Sequence, residues 1–535
     1  MDYDAVIVGA GMAGLTAAAY LCGAGLKVMV CEKENKVGGL CNSFEYNGFI
    51  FDGGIRALEN SGIVTPMLRQ LGIDLKFVRN AVSIGIEQEV VSLVSQDSLK
   101  DYLRLLDDQF PENKPDIAKI GDEIKKIMKY MDILYGIDNP IFLDLKNNTP
   151  YIFKTILPWL FKYIFTIRKI NRLNQPVVEY LRQFSKNEVL IDLIAQHFFK
   201  ATPTFFAMSY FSLYLDYQYP AGGTGSLSEA MKKYILDHQG EIRTGTEIRS
   251  LDPQQNQIED GQGNVYHYRK LIWAADMKRL YNAVNLDSLA SQPAMAAISA
   301  QKAAIADKIG GDSILTLYLT LDIDKQYFAA KADAHFFYTP HKAGLSSLPP
   351  YRLNAVAAPG SADADTEKKA LQAWLSEFYE KTTYEISCPV LRDERLAPPG
   401  KTGLIISALF DYPLAKQISE TGWYDEFKAF SAARIIEVLE TAIYPGMKDK
   451  VINHFISTPL TLEKLTGNSD GGITGWSFTN SFIPAVHSMA KIARSVDTPI
   501  PNVCQAGQWT FSPSGLPISI LTGKLAADQV IKQLK

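Results

Sequence analysis

A short apolar run rich in β-branched residues, Asp4-Ala5-Val6-Ile7-Val8, feeds directly into Gly9-Ala10-Gly11-Met12-Ala13-Gly14 and then into the Ala-rich stretch Leu15 to Leu21. A second such run, Lys27-Val28-Met29-Val30-Cys31, ends at Glu32. The order is strand, glycine turn, helix, strand, acid, which is the opening of a parallel α/β sheet. Each part has a physical reason. Gly9 permits the tight turn, Gly11 admits backbone close to a pyrophosphate, and Gly14 lets the helix approach the strand. Phosphates would sit at the helix start around Met12 and Ala13, where free N–H groups and the dipole favour negative charge. Glu32, followed by Lys33, lies where a carboxylate accepts hydrogen bonds from an adenosine ribose and disfavours a 2′-phosphate.

This fingerprint alone does not separate FAD from NAD. Three further stretches favour a flavin nucleotide. Gly38-Gly39-Leu40 allows backbone to approach an extended diphosphate and ribityl chain. Phe49-Ile50-Phe51-Asp52-Gly53-Gly54-Ile55-Arg56 reads as a strand or hairpin arm entering a glycine turn that passes beside a flat ring. Near the end of the chain, Val503-Cys504-Gln505-Ala506-Gly507-Gln508 is a strand running into a glycine, and Leu516-Pro517-Ile518 opens a last helix. Pro517 suits an early helix position, where a missing N–H costs little. A helix start there would face the pyrimidine edge of a flavin, which becomes anionic on reduction.

Composition narrows the rest. Hydrophobic residues make up 47% and charged residues 21% of 535 residues, enough for a sizeable core and two to four domains. The net charge of -4 gives no reason to expect nucleic acid. The five cysteines, Cys22, Cys31, Cys41, Cys388 and Cys504, form no CxxC pair and no metal spacing, so no metal is expected and a reducing compartment is the default. The N-terminus has no basic and apolar leader, and no apolar run is long enough to span a bilayer. The expected location is cytoplasmic, either free or peripheral on a membrane.

The chain resembles the flavin amine oxidase superfamily, and within it the branch of phytoene desaturases, carotenoid isomerases and retinol saturases. The resemblance is carried by Val8-Gly-Ala-Gly-Met-Ala-Gly14, Glu32, Val37-Gly-Gly39, Gly48-Phe-Ile-Phe-Asp-Gly53, Tyr219-Pro-Ala-Gly-Gly223, Ala274-Ala-Asp276, Ser457-Thr-Pro-Leu-Thr461 and the Gly507 to Ala527 segment. It implies FAD as cofactor, with the Ile248 backbone near the adenine and Ala275 near the nucleotide. The implied fold is α/β: a Rossmann-like FAD-binding domain of the glutathione-reductase type, interleaved with an α+β substrate domain. The FAD-binding domain would comprise 1–85, 215–285 and 456–535, and the substrate domain 86–214 and 286–455. Family members often carry an acid after the glycine matching Gly507, whereas here Gln508 stands, an amide that still donates or accepts a hydrogen bond. No second dinucleotide fingerprint is present, so no NAD(P)H domain is expected.

The implied substrate is an apolar polyene, isoprenoid or lipid, and the implied chemistry is desaturation, saturation or cis–trans isomerisation of C–C bonds. A flavin amine oxidase is an alternative, as is a flavin-free escort of the same fold like the Rab GDP-dissociation inhibitors. Segment 151–169 is aromatic and apolar, punctuated by Lys154 and Lys162 and broken by Pro158. No acid occurs between Asp144 and Glu179, while Lys146, Arg168, Lys169 and Arg172 do. That pattern fits an anionic membrane surface or, equally, a core helix pair with a basic edge. Phe198-Phe199 and the run Phe205 to Tyr214 fit an apolar cavity wall or ordinary core. Arg56, Glu59 and Trp509 are candidates beside the ring, with Arg56 and Glu59 also readable as a structural ion pair. No catalytic residue is assigned, and the oligomeric state is open.

Overall fold

The computed structural model describes residues 2–144, 149–289, 291–353 and 362–535; Lys146 lies outside them. Strands Tyr3–Val8, Val28–Cys31, Glu241–Arg243, Val265–Trp273 and Val503–Gln505 run parallel to one another. Val8 pairs with Cys31 and Trp273, Cys31 with Arg243, and Trp273 with Gln505, so all five strand ends stand in one row. The residues that follow them, Gly9, Glu32, Ala274-Ala275 and Ala506-Gly507, therefore form a single crest, where open α/β sheets bind their ligands. The amino half of Val265–Trp273 turns antiparallel against Gln257–Asp260, which pairs in turn with Ile248–Asp252.

The first helix, Met12–Gly23, and the last, Leu516–Leu534, pack against each other over this sheet. A Cβ on Gly523 would sit 2.3 Å from the Ala13 carbonyl oxygen, so the close approach requires that glycine. A hairpin of Ser43–Tyr46 and Phe49–Asp52 turns at Asn47-Gly48, whose φ values of 53° and 81° match the left-handed turn that follows strand twist.

A second, largely antiparallel sheet has the order Val451–Ser457, Ser313–Leu321, Thr402–Phe410, Tyr384–Ser387, His335–Thr339, Val82–Ile86 and Glu89–Leu93. Strand Ser313–Leu321 alternates over Leu315 to Leu321 in the pattern of a half-buried strand. It is buried almost throughout, because it pairs on both sides and packs on both faces. Its leucines join a core with Leu371, Phe378 and Leu439 from the covering helices, while Tyr318 meets Phe44, Phe51 and Phe455.

A third core belongs to helices Leu99–Gln109, Lys114–Leu134, Val177–Leu181, Glu188–Ala195 and Thr204–Asp216. Phe198, Met208, Phe211 and Tyr214 are buried there, so much of the aromatic run is core. Beside them, burial alone pushes His197 down to about 4. The unfolded chain binds this proton near the ordinary histidine value of about 6.5, so it holds more protons than the folded chain between those limits. Stability contributed here is full above that window and falls as pH drops through it, at up to about 1.4 kcal/mol per pH unit. Urea unfolding between pH 7 and pH 5 should show this slope reduced by about one proton in His197→Gln; an unchanged slope contradicts it.

Candidate functional site

At the crest, Gly9 takes φ +99°, and a Cβ on it would meet the Ala274 carbonyl oxygen at 2.8 Å and Ala275 Cβ at 3.4 Å. A Cβ on Gly14 would meet the Gly9 oxygen at 1.9 Å, whereas one on Gly11 meets nothing within 4 Å. The fold thus requires Gly9 and Gly14, while Gly11 borders open space at the start of the first helix, next to Met12 and Ala13. Gly39 closes the other side: its Cβ would lie 3.2 Å from Gly11 Cα, and Gly11 and Gly38 form a parallel bridge.

Glu32 is 9% exposed, and the Ala10 N–H donates to its Oε2 at 2.8 Å and the Glu34 N–H to its Oε1 at 2.9 Å. Desolvation raises its pKa. The carboxylate is therefore fixed in orientation with lone pairs to spare. Thr246 donates its N–H to the Glu32 carbonyl at 2.7 Å, which brings the chain leading to Ile248 alongside. Lys33 reaches across to the Lys464–Gly467 segment, with Nζ donating to Glu34 Oε1 at 2.7 Å and to the Lys464 carbonyl at 2.5 Å.

The Gly-Gly segments lie side by side. The Gly53 N–H donates to the Asn42 carbonyl and the Ile55 N–H to the Leu40 carbonyl, both at 2.9 Å, and a Cβ on Gly54 would sit 2.1 Å from the Leu40 oxygen. Gly507 reaches the first helix, its missing Cβ 3.4 Å from Ala13 Cβ and its N–H donating to Thr522 Oγ1 at 2.9 Å. Gln508 follows, with its carbonyl against Gly475. Leu516, Pro517 and Ile518 form the first turn of the last helix, whose Gly515 supplies no capping side chain.

The sequence reading missed what holds this assembly together. Asp52 is 1% exposed and accepts from Ser43 Oγ at 2.9 Å, Tyr219 Oη at 2.7 Å, the Thr224 N–H at 2.8 Å and Thr224 Oγ1 at 2.9 Å. It ties the hairpin to the Tyr219–Gly223 turn, and only its place in Phe-Asp-Gly-Gly hinted at this. Removing this buried acceptor strands donors that converge on it, so Asp52→Ala should lose about 3 kcal/mol or more of stability in chemical unfolding. A loss under about 1 kcal/mol contradicts that role.

Arg56 and Glu59 form no ion pair. Arg56, 3% exposed, donates to the carbonyls of Asp52 and Gly54 and to Ser407 Oγ at 3.3 Å. Its carbonyl in turn accepts from Arg392 Nη1 at 2.6 Å, beside a buried His335–Glu385 contact of 2.9 Å. Trp509 is likewise structural: it is 2% exposed and meets Trp476 edge-on at 4.9 Å.

The residues at the crest fit a flavin nucleotide. An open helix start, an oriented acid, and backbone at Gly38-Gly39 and Gly53-Gly54 with no room for side chains are the features such a ligand needs. Gly523 touches Ala13 at the start of the first helix, and Gly515 lies eight residues earlier, about 12 Å along the last helix at 1.5 Å per residue. The two helix starts are thus offset along one direction, as the diphosphate and ring of an extended flavin nucleotide are.

Fold and crest together define a flavin-nucleotide oxidoreductase. The flavin containing amine oxidoreductase family matches residues 12–319, more than half of the chain, and the chain belongs to that family; it is an FAD-dependent enzyme. Among its relatives is the chloroplastic prolycopene isomerase of Daucus carota, 23% identical, covering 88% of this chain and 71% of that protein. All-trans-retinol 13,14-reductase of Danio rerio is 24% identical over 95% of this chain and 82% of its own. The 4,4'-diapophytoene desaturase of Staphylococcus aureus is 21% identical over 99% of both chains. Among solved structures, an oxidoreductase from Methanosarcina mazei superposes with a TM-score of 0.61 at 15% identity over 99% of both chains. A putrescine oxidase does so with 0.61 at 13% identity over 99% of both.

Proposed function

We propose that this enzyme desaturates, saturates or isomerises carbon–carbon bonds of an apolar polyene, isoprenoid or lipid, taken up from a membrane surface. The observation that carries the reading is the pair of offset helix starts, one at the crest and one at Gly515, in a chain whose relatives include an isomerase, a reductase and a desaturase named for such substrates. FAD would supply hydride acceptance and return. Gly11, Met12 and Ala13 would hold its diphosphate and Glu32 its ribose. Gly38 to Leu40, with Gly507 and Gln508, would flank the chain to the ring, and Gly53 to Arg56 with Leu516 to Ile518 would border the ring. Ile248 and Ala275 would border the adenine end, and Lys33 the outer rim.

Membrane contact has its own support. Thr149–Tyr151, a π-helical turn Ile152–Ile156 and helix Leu157–Ile170 are consecutive, so Pro158 does not break the segment; the widened turn absorbs its missing N–H. Phe153, Leu157, Leu160, Phe161, Ile164 and Phe165 are exposed along it, interleaved with Lys154 and Lys162. No described helix is long and apolar enough to cross a membrane, which fits a surface helix. Trp159 Nε1 donates to the Ile133 carbonyl at 2.6 Å, docking this helix at the end of Lys114–Leu134. A cavity of about 330 Å³ lies there, between Tyr135, Ile137, Leu213 and the Asn60–Gly62 turn that follows Glu59.

Anaerobic mixing of the yellow holoprotein with a polyene in vesicles and, separately, with an amine tests the chemistry. Bleaching of the flavin band by the polyene, or re-oxidation of reduced enzyme by it, with a matching product mass, is expected. Bleaching by the amine alone overturns the proposal.

A further inference from the structure

Glu59 is an acid that packing turns toward the start of the last helix, with a hydrogen bond from its own backbone N–H. It ends the two-residue strand Leu58–Glu59, and its Oε1 lies 3.4 Å from where a Cβ on Gly515 would stand, at the uncapped start of the last helix. Among the described residues, no cation is one of the charges it meets. Asp216, at the end of helix Thr204–Asp216, faces it with like charge, and is itself held by the Asn60 and Ser61 N–H groups at 2.9 and 3.0 Å. Tyr210 from the same helix, Tyr217 from the next strand, and Tyr135 from the end of Lys114–Leu134 complete the surround. Burial first, and Glu59 among the neighbouring charges, raises all three phenols.

The partial positive charge of a helix start suits the edge of a flavin that turns anionic on reduction. A carboxylate already at that helix start repels the arriving charge at short range, and uptake of one proton by that carboxylate relieves the repulsion. We propose that Glu59 is the proton-accepting group of this site: its carboxylate takes one proton as negative charge is added to the cofactor and releases it when that charge leaves. The inference rests on the reading of Gly515–Ile518 as the border of the ring.

In the desaturating direction, a substrate C–H bond breaks, and its hydrogen and two electrons go to the cofactor, which gains one negative charge. The neighbouring C–H bond breaks as its electron pair forms the C=C, and that hydrogen leaves as a proton. Glu59 forms one O–H bond, so one proton is retained by the protein instead of entering bulk solvent. Saturation runs the same sequence in reverse. Burial, with Asp216 adding to it, pushes the Glu59 carboxyl up to about 7, which is poised for such a change near neutral pH.

The test is the midpoint potential of the bound flavin against pH, measured spectroelectrochemically on holoprotein of verified FAD content. Above about pH 7, wild type should take up two protons per two electrons, one at the cofactor and one at Glu59. Glu59→Gln, which mimics the protonated form, should take up one across the range and have the higher potential at alkaline pH. A wild-type slope of one proton per two electrons overturns the inference by itself, whether or not the variant folds; so does a variant with the wild-type slope. Protein that purifies without FAD and fails to bind it contradicts the site reading instead, and the inference with it.

Discussion

Gly11→Asp should fold, purify in normal yield and carry no FAD. The first half of that result follows from the open space at this position: a Cβ on Gly11 meets nothing within 4 Å, and its φ of -69° suits any residue. The second half follows from charge. A carboxylate placed about 4 Å from a diphosphate oxygen costs about 4 kcal/mol at an effective dielectric of about 20, roughly a thousandfold in affinity. Gly14→Ala should behave in the opposite way, because its Cβ would sit 1.9 Å from the Gly9 carbonyl oxygen and must displace backbone. It should lower the unfolding midpoint sharply or abolish soluble expression. Absorbance spectra and thermal unfolding of the two variants check the pair. A yellow Gly11→Asp protein with full flavin content would exclude this turn as the diphosphate site.

Triple replacement of Phe153, Phe161 and Phe165 by aspartate should release the protein from phosphatidylcholine–phosphatidylserine vesicles at least a hundredfold. These side chains are 64%, 67% and 63% exposed, so the change leaves the core untouched. Each inserted phenylalanine is worth about 1.5 kcal/mol or more, and three together exceed about 4 kcal/mol before added repulsion from anionic lipid. Vesicle sedimentation measures it, with circular dichroism as the control for folding. Unchanged partitioning would mean the exposed face serves another purpose.

The first strand, the glycine turn and Glu32 were readable because their chemistry is local: periodicity gives the strand and helix, and the turn has to be glycine. The Asn47-Gly48 hairpin and the Thr458–Thr461 capping box that starts helix Pro459–Thr466 are equally local in their chemistry, although neither was read from the sequence. The alignment of five strand ends was not readable, since it depends on pairing between Val8, Cys31, Arg243, Trp273 and Gln505 across the whole chain. Arg56 and Glu59, three residues apart, read as a pair on spacing alone. Tertiary structure instead gave Arg56 backbone carbonyls and Ser407, and turned Glu59 to the last helix. The π-helical turn before Pro158 was equally hidden, because a proline in sequence signals a break and only neighbouring turns reveal how it is absorbed.

The atomic structure of the FAD-bound protein tests the central claim most directly. It should contain one flavin nucleotide, its diphosphate on the N–H groups at Gly11–Ala13 and the pyrimidine edge of its ring against Leu516–Ile518. A flavin bound elsewhere, or a ring turned away from the last helix, would contradict it.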